Sequence, residues 1–161
     1  MIYTIQNEHL TVQVEELGAQ LSSIHTPDGT EYLWQGNPDI WARRAPILFP
    51  FIARLRENTY YLDGQPYAIS THGFARDMVF SLADQGKDHL SLRLADTPET
   101  RKVYPFSFSL TVTYTLERNR LKKTHRVENR SNRDMYYELG AHDGFRAPVE
   151  PGVPMSSWTI R

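Results

Sequence analysis

Apolar and polar residues alternate along several stretches of this 161-residue chain. The longest stretch runs from Phe106 to Leu116, where apolar and aromatic side chains alternate with serine and threonine. Shorter stretches of the same kind begin at Leu10 and Leu90. Because successive side chains of a β-strand point to opposite faces of a sheet, each stretch predicts a strand with one apolar and one polar face.

Turn-forming residues separate these predicted strands. Asp28-Gly29 and Asp63-Gly64 predict tight hairpin turns, and Arg118-Asn119 predicts a turn from which a return strand runs over residues 120–128. Short strands joined by tight turns are typical of an antiparallel β-sandwich or barrel. The sequence therefore predicts an all-β fold, with more than about a third of the residues in strands and no helix longer than about three turns.

Three segments depart from the alternating pattern. Thr97 and Pro98 predict a short helix over residues 98–104, as its N-cap and its first helical residue. Residues 41–56 contain prolines and arginines among apolar residues, and residues 70–77 contain a histidine but no strand period. Since binding and catalytic side chains tend to lie on irregular segments of a rigid scaffold, the last two are candidate site segments.

Composition and charge narrow the classes of function. Hydrophobic residues make up 40% and charged residues 23% of the chain, and the net charge is -1. These values indicate one globular domain over residues 1–161, without a basic surface for nucleic acid and without an apolar run that could span a membrane. The first residues do not have the pattern of a signal peptide, and cysteine is absent. We therefore expect a cytoplasmic protein without disulfides or thiol catalysis.

Two of the histidines are candidates for acid–base chemistry. His72 lies in an irregular segment, and His142 follows Gly140-Ala141 at the end of a predicted strand. Histidine is the side chain that exchanges protons near neutral pH. Neither histidine belongs to a pair spaced for metal binding, so we expect no metal site. The tryptophans either stack on a sugar or, more commonly, pack in loops and the core; they are Trp34, Trp41 and Trp158.

The irregular segments also carry motifs that resemble one known family. In chain order these motifs are Gly29–Gly36, Arg43–Pro50, Ala53–Leu55, His72–Asp77, Tyr104–Phe106 and Gly140–His142. Together they resemble the aldose 1-epimerase (mutarotase) family, and most closely its LacX-like bacterial branch with a His-Gly-Phe-Ala-Arg loop. Each motif is weak by itself, but the set in this order is specific, and the resemblance extends over about residues 7–148.

The resemblance implies a fold and an activity. The fold is galactose mutarotase-like, a large antiparallel β supersandwich of which residues 1–161 form the N-terminal part. The activity is the interconversion of the α and β anomers of a free aldose. In this family a histidine protonates the ring oxygen while an acidic residue removes the proton of the anomeric hydroxyl; the ring opens, rotates about C1–C2 and closes again. No metal or cofactor takes part, so we expect none here.

The resemblance also assigns roles to four residues. His142 matches the acid, His72 the second active-site histidine, Arg54 an arginine that holds sugar hydroxyls, and Arg76 lies in the branch-specific loop. Related hexose-6-phosphate epimerases have a similar loop, in which arginine binds phosphate through its planar set of donors. The expected partner is therefore a sugar, either an aldohexose or its phosphate. We expect His72, His142 and Arg54 to line one concave face, within reach of one pyranose.

The sequence departs from the family pattern in three respects. Gly-Ala-His-Asp-Gly replaces the common Gly-Gly-His-Pro, which puts the charge of Asp143 beside the acid, and Ala53 replaces a common glycine. The family domain is close to twice as long, and its general base, a glutamate, has no match up to Arg161. Glu138 and Asp143 are poor substitutes, because Glu138 would lie about 13 Å from His142 along one strand and Asp143 would face away.

These departures leave four interpretations open. The chain is an epimerase impaired by the missing base, a carbohydrate-binding β-sandwich without catalysis, a hexose-6-phosphate epimerase-like protein, or a structural fragment that folds only with a partner such as a second copy of itself. An incomplete sandwich also exposes a strand edge and an apolar face, and the row from Phe106 to Leu116 needs a cover. We therefore expect a homo-oligomer that buries part of this row, and weak or no mutarotase activity.

Overall fold

The computed structural model describes residues 1–150 and 152–159. Its strands are β1 (Ile2–Gln6), β2 (Thr11–Glu15), β3 (Leu21–His25), β4 (Ile47–Leu48), β5 (Thr59–Leu62), β6 (Gln65–Ala68), β7 (Ser81–Gln85), β8 (His89–Ala95), β9 (Phe108–Glu117), β10 (Arg120–Asn129) and β11 (Gly140–Ala141). The helical segments of these residues are one helix, α1 (Pro98–Val103), and single 3-10 turns at Arg56–Asn58, Ala75–Asp77 and Met155–Ser157. Strands thus occupy more than a third of the chain, as the alternation predicts.

The strands form two larger sheets and two short ladders, all antiparallel. One sheet has the order β10-β9-β8-β7, and the other has the order β1-β2-β3. The short ladders are β5-β6 and β4-β11. The prediction of an all-β antiparallel fold is confirmed. No helix of the described residues has the length and apolar composition that crossing a membrane requires.

The turns and the helix cap form where the sequence predicts them. Asp63 and Gly64 connect β5 to β6 with φ angles of 51° and 78°, the left-handed geometry of a two-residue hairpin turn. Arg118 has a φ of 55° in the turn before β10, which pairs with β9 along its whole length. Thr97 caps α1: its hydroxyl accepts from the Thr100 N–H, while the Thr100 hydroxyl accepts from the Thr97 N–H.

The apolar face of β9 is buried by strands of the same chain. Its apolar side chains from Phe108 to Leu116 are at most 5% exposed. The cover comes from β1–β3, whose apolar residues belong to the same core, and the Tyr114 hydroxyl donates to the Ala19 carbonyl at 2.8 Å. The expectation that this row needs a partner copy to cover it is therefore wrong. Association between copies stays a prediction, without this support.

A buried aromatic cluster joins the irregular segments to the four-stranded sheet. The Phe49 ring is 0% exposed, and its centroid lies 5.2 Å from that of Phe108, 6.1 Å from that of Tyr104 and 6.3 Å from that of Phe74. Tilted and edge-on contacts of this kind suit the charge distribution of aromatic rings. The Tyr104 hydroxyl extends the cluster by donating to the Tyr136 carbonyl at 2.8 Å. Both irregular segments and the chain before β11 are thus held against β9.

Candidate functional site

His142 is positioned by a short ladder between segments that are far apart in the sequence. β11 pairs antiparallel with β4, which is buried in the core. The ladder continues past β11, since the His142 N–H donates to the Pro46 carbonyl at 3.1 Å. His142 therefore has its backbone attached to the core, while the residue as a whole is exposed to solvent.

Two tryptophans pack around the segment of His142. The rings of Trp41 and His142 meet edge to face, with centroids 5.0 Å apart and an interplanar angle of 69°. Gly144 makes room for this packing, because a Cβ there would lie 2.8 Å from the Trp41 ring. The Trp34 indole N–H donates to the Trp41 carbonyl at 2.8 Å. Both tryptophans thus have packing roles here, and stacking of a sugar on either ring stays a prediction.

The second site segment crosses the first at Gly73. The Phe49 carbonyl accepts from the N–H groups of Phe74 at 3.0 Å and Ala75 at 3.2 Å. Gly73 has a φ of 72°, and a Cβ on it would lie 2.2 Å from the Phe49 oxygen. Only glycine allows two backbones to approach so closely in this conformation. The crossing sets the position of the preceding residue, His72.

His72 and Ala53 are joined by two hydrogen bonds. The His72 N–H donates to the Ala53 carbonyl, and the Ala53 N–H donates to His72 Nδ1, both at 2.9 Å. The two residues have φ angles of 66° and 62°, a conformation that is uncommon outside glycine and clusters at functional sites. Because Nδ1 accepts a hydrogen bond, the neutral ring carries its proton on Nε2 and presents that N–H as a donor.

The surroundings of His72 favour its neutral form. Partial loss of hydration is the largest cause that lowers its pKa below the usual 6.5, followed by the charges of Arg76, His142 and Arg43. The charge of His142 is thus one of the causes that lower the pKa of His72, although the two residues lie far apart in the sequence.

Arg54 follows Ala53 on the same loop and is exposed. Its Nε donates to Asn58 Oδ1 at 3.2 Å. With Asn58, Ser70 and Thr71 it lines a shallow depression, which is formed by residues before His72 rather than by either histidine. The convergence of Arg54 and the two histidines on one pyranose stays a prediction.

Arg76 holds its own loop together. One of its terminal nitrogens donates to the Thr71 carbonyl at 2.8 Å, and its Nε lies 3.5 Å from the Asp77 carboxylate. Arg43 binds the same carboxylate at 2.8 Å. The Arg76 side chain is only 17% exposed, so its charge is largely engaged within the loop.

Glu138 makes a contact that the sequence pattern does not indicate. Its carboxylate accepts from the Ile52 N–H at 2.7 Å, and its own N–H donates to the Pro50 carbonyl at 2.8 Å. The expectation of one regular strand carrying both Glu138 and His142 is wrong, because β11 contains only Gly140 and Ala141. The backbone N–H groups of two successive residues thus donate to side chains of the site, that of Ile52 to Glu138 and that of Ala53 to His72. Only the long-range pairing of the two segments shows this role of Glu138.

Taken together, these residues offer proton-exchanging groups and hydrogen-bond donors. His72 presents Nε2–H, while His142 and Arg54 are exposed. Within residues 1–150 and 152–159, no group of three or more histidine, aspartate or glutamate side chains is placed to bind a metal ion. Donors of this kind suit a polyhydroxy or anionic ligand.

Comparison with known proteins identifies the family. A family model described as aldose 1-epimerase matches residues 1–161. The chain belongs to the aldose 1-epimerase family. The resemblance of its motifs to this family is thereby confirmed.

Relatives and solved structures show how much of the family fold is covered. The chromosomal and plasmid LacX proteins of Lactococcus lactis subsp. lactis are 34% identical to this aldose 1-epimerase family member over an alignment of 166 residues, which covers 99% of this chain and 56% of theirs. A galactose mutarotase related enzyme from Lactobacillus acidophilus superimposes with a TM-score of 0.93 at 39% identity, over 95% of this chain and 51% of that chain.

A second solved structure agrees with the first. A galactose mutarotase-like protein from Lactobacillus casei has a TM-score of 0.88 at 36% identity, over 90% of this chain and 50% of that chain. The predicted galactose mutarotase-like fold is confirmed. This epimerase-family chain spans about half the length of the relatives it matches.

The His72 ring is expected to titrate below pH 6.5 when followed by NMR. The folded chain then binds fewer protons at this ring than the unfolded chain. The contribution of His72 to the free energy of unfolding is therefore present above pH 6.5 and is lost as the pH falls through the folded-state pKa.

Replacing His142 by asparagine is expected to raise the pKa of His72, because the charge of His142 is one of the causes that lower it. The same change at the half-buried His89, on β8, is expected to leave the pKa of His72 unaltered. A His72 pKa at or above 6.5 would contradict the arrangement described.

Proposed function

We propose that this chain supplies the sugar-binding and acid side of an aldose 1-epimerase site. In the proposed reaction His142 donates a proton to the ring oxygen of an aldose as the bond from that oxygen to C1 breaks, while a base removes the proton of the anomeric hydroxyl. The open-chain aldehyde rotates about C1–C2 and closes by the reverse proton transfers. His72 donates a hydrogen bond on the ring-oxygen side, and Arg54 binds sugar hydroxyls.

The hydrogen-bonded geometry of His72 on the Ala53 backbone is the observation that carries this proposal. A neutral His72 is a hydrogen-bond donor rather than a second cation, so it orients the ring oxygen and leaves proton donation to His142. The edge-on contact with Trp41 limits the rotation of the His142 ring. A held ring supports acid catalysis, because proton transfer depends on the geometry of donor and acceptor.

The general base is the component that we propose this chain lacks. The glutamate implied by the family resemblance has no match among residues 1–161, and the Glu138 carboxylate is engaged with the Ile52 amide at 2.7 Å. A general acid and a general base each contribute about 10²–10⁴-fold to a rate. We therefore expect a chain that binds sugar and converts anomers weakly or not at all. Carbohydrate binding without catalysis is the second candidate function, favoured by this engagement of Glu138.

Measurements of anomer conversion and of sugar binding test the proposal together. We expect little acceleration of the α-to-β conversion of glucose or galactose over buffer, followed by polarimetry or NMR. Sugar binding in an NMR titration is expected to weaken in His142→Asn and His72→Gln, and to be unchanged in the control His89→Asn. An acceleration of several orders of magnitude that is lost in His142→Ala would show that a base is present. Absence of binding by the unmodified chain would rule out the sugar site.

Replacing Arg76 by alanine is expected to weaken the binding of glucose and of glucose 6-phosphate by similar factors. The reason is that its guanidinium holds the Thr71 carbonyl and so shapes the loop of His72. The control Arg56→Ala removes an arginine side chain that is 95% exposed and is expected to change neither affinity. Titrations of both ligands at low salt measure the effect. A loss confined to glucose 6-phosphate would favour a hexose-6-phosphate epimerase-like function instead.

A further inference from the structure

The segment that carries His142 is tied to the β9–β10 hairpin by an ion pair. Lys123 Nζ, on β10, lies 2.9 Å from Asp143 Oδ1. We propose that Lys123 and Asp143 are positioning residues for His142. The consequence for catalysis rests on the function proposed above, but the consequence for the geometry of the His142 ring does not.

The position of Asp143 next to His142 makes this anchoring possible. Neighbouring side chains of an extended chain point to opposite sides. Lys123 therefore binds Asp143 on one side of the segment, while the His142 ring stays on the other side, that of His72. The lining of a pocket on this side of the segment agrees with this arrangement: it includes Asp143 and Lys123 but neither His142 nor His72. Since β11 is only two residues long, an additional contact beyond its end restrains the backbone of His142.

The Lys123 side chain is largely buried and lies against the core. Its side chain is 11% exposed, and its Nζ lies 5.8 Å from the centroid of the Tyr114 ring, its cross-strand neighbour on β9. Tyr114 is itself buried and donates to the Ala19 carbonyl at 2.8 Å. A charge pair that is largely shielded from water attracts more strongly than an exposed pair, because the solvent screens it less.

A nearby histidine does not compete for the Asp143 carboxylate. Burial is the largest cause that lowers the pKa of His125, and Lys123 lowers it further, while Asp143 acts in the opposite direction. A neutral His125 leaves Lys123 as the cation that faces Asp143.

Backbone hydrogen bonds at Gly144 also hold the segment, on the C-terminal side of Asp143. The Gly144 N–H donates to the Arg44 carbonyl at 2.8 Å, and the Gly144 carbonyl accepts from the Trp34 N–H at 2.9 Å. The chain is therefore held on both sides of Asp143. We expect a shift at Asp143 to move the adjacent His142 ring relative to the Trp41 ring, whose centroid lies 5.0 Å away, so this ring contact reports the position of His142.

The test replaces each member of the pair. Asp143→Asn removes the charge at nearly constant size, and Lys123→Met removes the cation but keeps most of the length. Both are expected to weaken the nuclear Overhauser effect between the rings of Trp41 and His142 and to weaken glucose binding about tenfold, since small displacements of a reacting group have large effects. Asp143→Glu keeps the carboxylate and is expected to recover most of the ring contact.

Asp96→Asn is the matched control. The Asp96 side chain is 12% exposed, binds Arg101 at 2.6 Å and accepts from the Phe108 N–H, at the opposite end of β9 from Tyr114. This variant is expected to lower thermal stability without changing the contact between Trp41 and His142. An unchanged ring contact in both Asp143→Asn and Lys123→Met, or an equal loss in the control, would overturn the proposal. If the unmodified chain binds no sugar, the proposed function fails, while the ring contact still decides the positioning role.

Discussion

Replacing Gly73 by alanine is expected to lower the free energy of unfolding by about 2–4 kcal/mol. Two effects add in this variant. The left-handed φ of 72° is unfavourable for any residue with a Cβ. The new Cβ would also lie 2.2 Å from the Phe49 oxygen and 2.5 Å from its carbonyl carbon, so one of the two backbones must move. Urea denaturation followed by circular dichroism measures the loss.

A second glycine separates the two effects. Gly64 has a similar φ of 78°, but nothing lies within 4 Å of the position of its Cβ. Gly64→Ala is therefore expected to cost only about 1–2 kcal/mol. Because His72 precedes Gly73, only the alanine at position 73 is expected to disturb the hydrogen bonds between His72 and Ala53 and thereby the titration of His72. Equal losses of stability in the two variants would mean that the backbones at 49 and 73 separate without resistance.

Truncation of Phe49 to alanine is expected to lower the free energy of unfolding by about 3–5 kcal/mol. Phe49 is 0% exposed and lies at the centre of the aromatic cluster with Phe74, Tyr104 and Phe108. Removing its ring leaves a cavity and also removes the edge-on contacts with its neighbours. Guanidinium denaturation, with the midpoint and slope compared between variants, measures the change.

Tyr61 is the matched control for this truncation. It is an aromatic residue of β5, and 74% of its surface is exposed. Tyr61→Ala is expected to change the free energy of unfolding by no more than about 0.5 kcal/mol. A loss below about 1 kcal/mol in Phe49→Ala would contradict the central role of this ring, because fully buried phenylalanines rarely cost so little to remove.

The β scaffold could be predicted because its signals are local. The alternation along β9, the turn at Arg118 and the capping of α1 by Thr97 all depend on residues a few positions apart. The start of β9 lies two residues later than the alternation predicts. The alternation begins at Phe106, but the Phe106 N–H donates to the Tyr104 carbonyl at 2.8 Å, and the regular strand begins at Phe108.

The contacts of the site residues could not be predicted in the same way. The motifs indicate His72, His142, Arg54 and Arg76, and the charge of His142 is one of the causes that lower the pKa of His72. The engagement of Arg76 with the Thr71 carbonyl leaves no trace in sequence spacing, because it depends on how one loop closes. The positive φ of Ala53 gives a physical reason for the glycine that is common at this position in the family.

The sequence by itself determined the all-β class, the main hairpins and the family of this chain, because alternation, turn residues and ordered motifs are properties of neighbouring residues. Only the tertiary structure decided what covers the apolar face of β9, where Glu138 lies, and that Lys123 meets Asp143. Each of these depends on pairing between distant segments, such as β4 with β11 and β1–β3 against β9. Such pairings arise from the packing of the whole core, in which many alternatives compete, and no short stretch of sequence contains both partners.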